Sequence, residues 1–350
     1  MEQARLKIRC LLLAVLSFAN TGVFAQASNR DVLSELTPYA AKAAVDGKIR
    51  IWGNPYIPEL VKAWQEGFLK HHPNLQFETQ LKGTETAMAG LYASIADVVF
   101  IGREPYRPEI QAFESWFGYK PTGLKITSGS FATQHKTFAL MVYVHKDNPL
   151  TSISLTQLDA IFGVERRRSA LASLRQWGQL GLKNHWVEQP IHAYGYNFDT
   201  GMAGFFRMTV MRDSDRWNPE LKDFDNGRQS SGEVINAGTY ILDAVAGDRN
   251  GIGFANVLFE NAGVKRLALS ERDGDPAIEA TRENAWSRRY PLTRYSTVFI
   301  NRVPGKPVDP KVKEFLRYIL SRDGMAAVVH DGAFIPLNAA TIHEELRALD

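Results

Sequence analysis

The chain has 350 residues, 45% hydrophobic and 23% charged, with a formal net charge of +3. That composition is ordinary for a folded globular protein and argues against a nucleic-acid partner. The length fits two domains or one large one.

The first residues read as a secretion signal. Arg5, Lys7 and Arg9 form a positive start, Cys10–Ala19 is an apolar stretch, and Val23 and Ala25 precede an expected mature start at Gln26. The apolar stretch is too short for a stable membrane anchor, and no later segment is long and apolar enough to span. Cys10, the one cysteine, lies at the front of the apolar stretch, whereas a lipid-modified cysteine would sit behind it. Removing residues 1–25 takes away Glu2, Arg5, Lys7 and Arg9, so 41 basic and 38 acidic residues become 38 and 37. The exported chain then has no disulfide and depends on its core for stability.

Residues 26–46 are polar and alanine-rich, an N-terminal arm with a short helix over Asp31–Ala44. Lys48–Trp52 is β-like and meets the turn Gly53-Asn54-Pro55-Tyr56. Leu60, Val61, Trp64, Phe68 and Leu69 mark one face of a helix opened by Pro58. Leu75–Leu81 alternates like a strand, Gly83-Thr84-Glu85-Thr86 is a turn, and Thr86–Ser94 is helical. Asp97–Ile101 is a short apolar strand before Gly102-Arg103-Glu104-Pro105. The pattern is three strands, each ending in a turn. In an open α/β sheet, ligands collect outside the carboxyl ends of the strands, so the three turns are expected to meet at one cleft.

Phe138–His145 is a strong strand and Leu155–Phe162 a short helix opened by Ser154. His192–Phe206 (HAYGYNFDTGMAGFF) reads as strand end, turn and helix start, with Asp199 or Thr200 as the cap. A helix start carries unpaired N–H groups and partial positive charge, and so suits an anion. Asn236–Ala246 is helical, Gly251–Phe254 and Tyr295–Ile300 are strand-like, and Lys311–Leu320 is an amphipathic helix ending near Gly324. The organisation suggests two α/β lobes, with the strands at 138–145 and 295–300 as crossings between them.

Several longer phrases carry a family resemblance. They are Gly102–Thr122, VYVHKDNPL (Val142–Leu150), LTQLDAIF (Leu155–Phe162), RQWGQLGL (Arg175–Leu182), His192–Phe206, GIGFAN (Gly251–Asn256), YPLTRY (Tyr290–Tyr295) and Glu314–Leu337. In this order they resemble the PstS-like phosphate-binding proteins of ABC importers. The resemblance implies an α/β, two-lobed type II periplasmic-binding-protein fold with two crossover hinge strands. Lobe I would comprise 47–139 and 297–350, and lobe II 140–296. It also implies phosphate, or another small oxyanion, held in the interlobe cleft by N–H groups, hydroxyls and an arginine. A dehydrated dianion needs many donors, because an unpaired buried charge is very costly.

Carried over turn by turn, the resemblance makes Gly53, Asn54, Tyr56, Thr84, Glu85, Thr86, Arg103, Tyr196, Thr200, Gly201 and Met202 the ligand-binding candidates. Four positions depart from the family pattern. Pro55 has no N–H, Glu85 only accepts, Tyr196 stands where the family has its arginine, and Met202 stands where it has a hydroxyl. Arg103 either lines the cleft or pairs with Glu104 or another carboxylate. The site is therefore expected to be less positive than a standard phosphate site, with its ligand choice weakened or changed.

Other features read as structure. His71-His72 is a solvated helix end, Arg166-Arg167-Arg168 a solvated insertion, and Ser128-Gly129-Ser130 a flexible loop. Trp64, Phe68, Phe113, Trp116 and Phe117 are core. No nucleophile with a paired base and no metal-ligand cluster can be placed, so the expectation is a binding protein with no cofactor and no catalysis. It would be an exported monomer with a membrane ABC permease as partner. The alternative is a ligand sensor or scaffold that reuses the fold.

Overall fold

The computed structural model describes residues 33–133, 136 and 139–350. The expected leader lies outside them, and so does Phe138. In chain order the first elements are β1 (Gly47–Gly53), α1 (Pro58–Leu69), β2 (Leu75–Gln80), α2 (Thr84–Tyr92), β3 (Val98–Ile101), α3 (Arg107–Phe117) and β4 (Thr122–Thr127). Next come β5 (Leu140–His145), β6 (Ser152–Ser154), α4 (Leu155–Phe162), β7 (His192–Tyr196), α5 (Gly201–Val210), β8 (Lys222–Phe224), β9 (Gly227–Arg228) and β10 (Val234–Ile235). They are followed by α6 (Ala237–Gly247), β11 (Gly251–Asn256), β12 (Val264–Arg266), β13 (Ala268–Ser270) and α7 (Arg282–Trp286). The chain closes with β14 (Ser296–Ile300), α8 (Pro310–Ile319), α9 (Arg322–Asp331) and α10 (Ala339–Leu349).

Two five-stranded sheets give a two-lobed molecule, with orders β2-β1-β3-β14-β4 and β12-β5-β11-β7-β8. In the first, β1 runs parallel to β2 and β3, while β14 is antiparallel to β3 and β4. In the second, β7 is parallel to β11 and β8, and β5 is antiparallel to β11 and β12. The chain leaves the first sheet after β4 and returns to it through β14.

In the first lobe, α1 starts at a proline and buries Leu60, Val61, Trp64 and Phe68 against the sheet. The Trp64 ring stacks on Phe100 at 5.9 Å, and its Nε1 donates to the Gly324 carbonyl at 2.9 Å. Each such side chain contributes about 1.5–3 kcal/mol, so the buried face holds this helix more than intrinsic propensity does. Gly324 does not end a helix; it lies inside α9. A Cβ there would fall 2.3 Å from the Tyr318 and Ile319 carbonyl oxygens, so α8 and α9 pack only over glycine.

In the second lobe, Phe206 of α5 stacks on Phe254 of β11 with centroids 3.9 Å apart. Phe162 meets both rings edge-on. A Cβ on Gly195 would lie 2.5 Å from the Phe254 ring, so β7 needs glycine there. This packing fixes α5 over the strand ends with its N-terminus facing the first lobe.

Four structural readings of the sequence are corrected. The arm does not form a helix over Asp31–Ala44: beyond residue 34 it has no regular structure up to β1. Pro38 disfavours helix in the residue before it, and Tyr39 is drawn into the first core, its hydroxyl bridging His72 Nε2 and Glu314 Oε2 at 2.7 Å each. His72 is thus buried rather than solvated. Ser128 and Ser130 are buried too, and the crossing is tied down by the Ser128 N–Ile335 O and Ile335 N–Gly129 O bonds, both 2.8 Å. Trp116 is 74% exposed, not core, whereas Trp64, Phe68 and Phe113 are core.

Candidate functional site

The turns after β1, β2 and β3 interlock. Asn54 N donates to Phe100 O, and Gly83 N donates to Gly53 O, each at 3.0 Å. Asn54 Oδ1 accepts from Tyr56 N at 2.6 Å, an Asx turn that substitutes for the geometry Pro55 cannot provide by hydrogen bonding. The Asn54 amide lies so close over Gly102 that a Cβ there would come within 2.2 Å of it. Gly102 N donates to Thr84 Oγ1 at 3.3 Å, and Thr86 Oγ1 donates back to Gly83 O at 2.9 Å. Tyr56 is half exposed, and its carbonyl accepts from Lys136 Nζ. Gly53, Asn54, Thr84 and Thr86 therefore come together, with Tyr56 at the margin.

Arg103 projects from the third turn. Its guanidinium meets Glu109 through two bonds, Nη1–Oε2 at 2.8 Å and Nη2–Oε1 at 2.7 Å. Glu85 Oε1 lies 3.3 Å from Nη2, and the Tyr106 ring lies 3.5 Å from Cζ. Burial alone would lower the Arg103 guanidinium, but Glu109 and Glu85 outweigh it and hold it above its ordinary value. Of the two sequence readings for Arg103, pairing with a carboxylate is the observed one. The partner is Glu109, while Glu104 offers only its carbonyl. Glu85 turns toward this arginine, which offsets its charge. The Arg103 Nε is buried without a hydrogen-bond partner.

The fourth turn, from the second lobe, packs onto Arg103. Thr200 caps α5: its Oγ1 accepts from Ala203 N at 3.2 Å and donates to Asn197 O at 2.8 Å. Asp199 is not the cap; its carbonyl accepts from Tyr106 Oη at 2.9 Å, across the seam. A Cβ on Gly201 would sit 3.0 Å from Arg103 Cβ, so the start of α5 touches the opposite lobe. Met202 Sδ is 3.4 Å from Arg294 Nη1. Tyr196 takes a different direction. It is 3% exposed, its ring packs against Phe254, and its hydroxyl accepts from Asn256 N at 3.3 Å and Nδ2 at 3.4 Å. Burial pushes the phenol well up.

Two arginines with carboxylate partners thus occupy the junction. Arg294 meets Glu104 with Nη2–Oε2 at 2.5 Å and Nε–Oε1 at 3.2 Å. Further out, Arg107 of the first lobe pairs with Asp213 and Asp215 of the second, and Arg207 holds the same two carboxylates. A groove of about 960 Å³ runs just outside, lined by Tyr106, Arg107, Phe198, Asp199 and Trp217 among others. Arg168 is not a solvated residue. Its Nε and Nη2 donate to the Val210 and Thr209 carbonyls, closing the C-terminus of the helix whose N-terminus faces the seam.

Sequence reasoning missed Glu104, Glu109 and Arg294 as site residues. Glu109 carried a local signal, because an acidic residue at the third helical position reaches back to the cap, here Tyr106 N at 2.7 Å. Arg294 had a weaker one, a charged residue next to an apolar crossing.

A family model described as a PBP superfamily domain matches residues 38–323. The chain is 31% identical over 338 residues to the phosphate-binding protein PstS of Pseudomonas aeruginosa, covering 97% of this chain and 98% of that one. It is 24% identical over 312 residues to protein SphX of Synechococcus elongatus, covering 88% and 83%. Among solved structures, PstS from Borrelia burgdorferi has a TM-score of 0.51 at 15% identity, covering 84% of this chain and all (100%) of that one. An ABC-type phosphate transport receptor from Vibrio cholerae has a TM-score of 0.50 at 17% identity, covering 83% and 100%. These two structures bear on the fold alone.

Proposed function

The chain belongs to the PBP superfamily, among the relatives of the PstS phosphate-binding proteins, and from that premise we propose that it is an exported solute-binding protein of an ABC importer. It takes phosphate, or another small oxyanion, at the seam between its lobes. One observation carries this reading: helix starts from both lobes converge on Arg103. Glu85, in the first turn of α2, lies 3.3 Å from its guanidinium, and Gly201, at the start of α5, packs on its side chain. The first N–H groups of a helix have no acceptor within that helix and carry partial positive charge, so two such ends beside buried arginines favour an oxyanion. In this reading the protein binds and releases the anion without acting on it, and hinge motion about the crossings exposes the site.

The candidates that serve the ligand are Gly53, Asn54, Thr84, Thr86, Thr200, Gly201 and Met202, with Arg103 as the fixed charge behind them. Glu85 and Glu109 neutralise part of that charge, which supports an affinity for phosphate below that of an uncompensated site. The test is a calorimetric titration of the purified protein with inorganic phosphate at neutral pH, repeated with sulfate. Saturable one-to-one binding of either supports the reading. No heat with either anion at millimolar concentration overturns it.

A further inference from the structure

Tyr196 leaves the fourth turn without the family's arginine, but a second buried arginine stands at the junction. Arg294 follows Tyr290-Pro291-Leu292 on the returning crossing, and its side chain is 1% exposed. Its guanidinium reaches both lobes. Two of its donors meet the Glu104 carboxylate of the first lobe, while Nη1 faces Met202 Sδ in the first turn of α5, in the second. The Phe205 ring, 5.1 Å from Cζ, walls the other side. A thioether is a weak acceptor, so the donor facing the start of α5 is poorly satisfied.

We propose that Arg294 is an oxyanion-binding residue of this protein, and that the Glu104 carboxylate occupies its guanidinium fork until a phosphate-type anion displaces it. The inference rests on the oxyanion-binding reading above and deepens it. A carboxylate and a phosphate present the same pair of oxygens to a guanidinium. A buried arginine stripped of its partner costs several kcal/mol, so a site without ligand needs an internal anion. Glu104 is the member of the pair able to leave: its side chain is 19% exposed, against 1% for Arg294. Arg103 is built differently. Glu109 grips both of its terminal nitrogens and the Tyr106 ring covers its face, so it stays as a fixed charge.

The hinge adds a consequence. Arg288 donates to the Thr293 carbonyl at 2.9 Å and to the Arg294 carbonyl at 3.1 Å, and its Cζ lies 3.7 Å from the Tyr295 ring. The backbone that carries Arg294 is thus held firm, and an anion that takes over the guanidinium acts directly on the segment joining the lobes.

The experiment is a phosphate titration of four proteins: wild type, Glu104→Gln, Arg294→Gln and the double variant. Charge-assisted hydrogen bonds of this kind correspond to about tenfold or more in affinity. Glu104→Gln is expected to bind phosphate about tenfold more tightly, and Arg294→Gln and the double variant about tenfold more weakly than wild type. The double variant replaces the ion pair with two neutral amides, so it decides the matter if Arg294→Gln alone fails to fold with Glu104 left unpaired. Wild-type binding that stays within about twofold in both Glu104→Gln and the double variant overturns the inference and leaves the oxyanion reading intact. Absence of binding in all four proteins overturns that reading, and the inference with it.

Discussion

Tyr196→Arg puts an arginine where the family has one, and the family resemblance suggests that, together with Met202→Thr, it would strengthen phosphate binding. The structure predicts the opposite. The Tyr196 ring packs on Phe254 at 5.9 Å, and its hydroxyl is the acceptor for both Asn256 N and Asn256 Nδ2. Burial raises the phenol, and the Asn256 N–H and the charge of Arg294 offset only part of that rise. A second guanidinium would lose the aromatic contact, leave Asn256 without its acceptor and place like charge near Arg294. An uncompensated buried charge costs about 3–5 kcal/mol. At about 2–4 °C per kcal/mol for a unit of this size, the melting temperature falls by about 6–20 °C. Tyr196→Phe removes only the hydroxyl and costs about 0.5–1.5 kcal/mol. Thermal melts by circular dichroism, with a phosphate titration on the same samples, check both. A Tyr196→Arg protein that melts within 2 °C of wild type or binds phosphate more tightly refutes the reasoning.

Gly201→Ala pushes a methyl group to 3.0 Å from Arg103 Cβ and 3.2 Å from Cδ. The start of α5 or the Arg103 side chain must give by a few tenths of an ångström. A crystal structure of the variant should show the start of α5 and the Arg103 side chain moved apart by that amount; an unmoved pair contradicts the contact. Burial holds the His72 imidazole below its ordinary value. A depressed histidine contributes stability above its unfolded value of about 6.5, and that stability is lost as pH falls through the folded value. Wild type should therefore lose more melting temperature than His72→Gln between pH 7.5 and 5.5, and parallel curves would count against the buried network. Arg107→Ala removes the exposed ion pairs to Asp213 and Asp215. It should cost under about 1 kcal/mol and flatten the salt dependence of the radius of gyration; a salt response equal to that of wild type would show that these pairs do not hold the seam.

Much of the fold was legible in the sequence because its signals are local. The spacing Leu60, Val61, Trp64, Phe68 gives α1 directly, and the apolar runs at Val98–Ile101 and Leu140–His145 give buried strands. The capping role of Thr200 was among the alternatives for the same reason. What failed depends on distant partners. Gly324 looks like a helix end, yet it is demanded by carbonyls of the preceding helix. His72 looks solvated until Tyr39, 33 residues earlier, is seen to reach it. The run Arg166-Arg167-Arg168 looks like exposed charge, but Arg168 closes α5 from a loop 41 and 42 residues away.

The candidate site divides along the same line. Asn54, Thr84, Thr86, Arg103, Thr200 and Gly201 meet because turns at strand ends must share one edge of each sheet. Their charge partners were not legible. Glu104 and Arg294 are 190 residues apart, and only the packing of the return crossing against the third turn brings them together. Tyr196 shows the converse. Its place at the end of β7 was readable, but the direction of its side chain was set by Phe254 and Asn256, in a different strand.

The most direct test of the account is a crystal structure of the protein grown with inorganic phosphate. The prediction is one phosphate at the junction of the lobes, within hydrogen-bonding reach of the start of α5 and of the turns at Gly53 and Gly83. Phosphate seated elsewhere, such as in the outer groove beside Phe198 and Trp217, or a junction that stays unchanged at saturating phosphate, would contradict it.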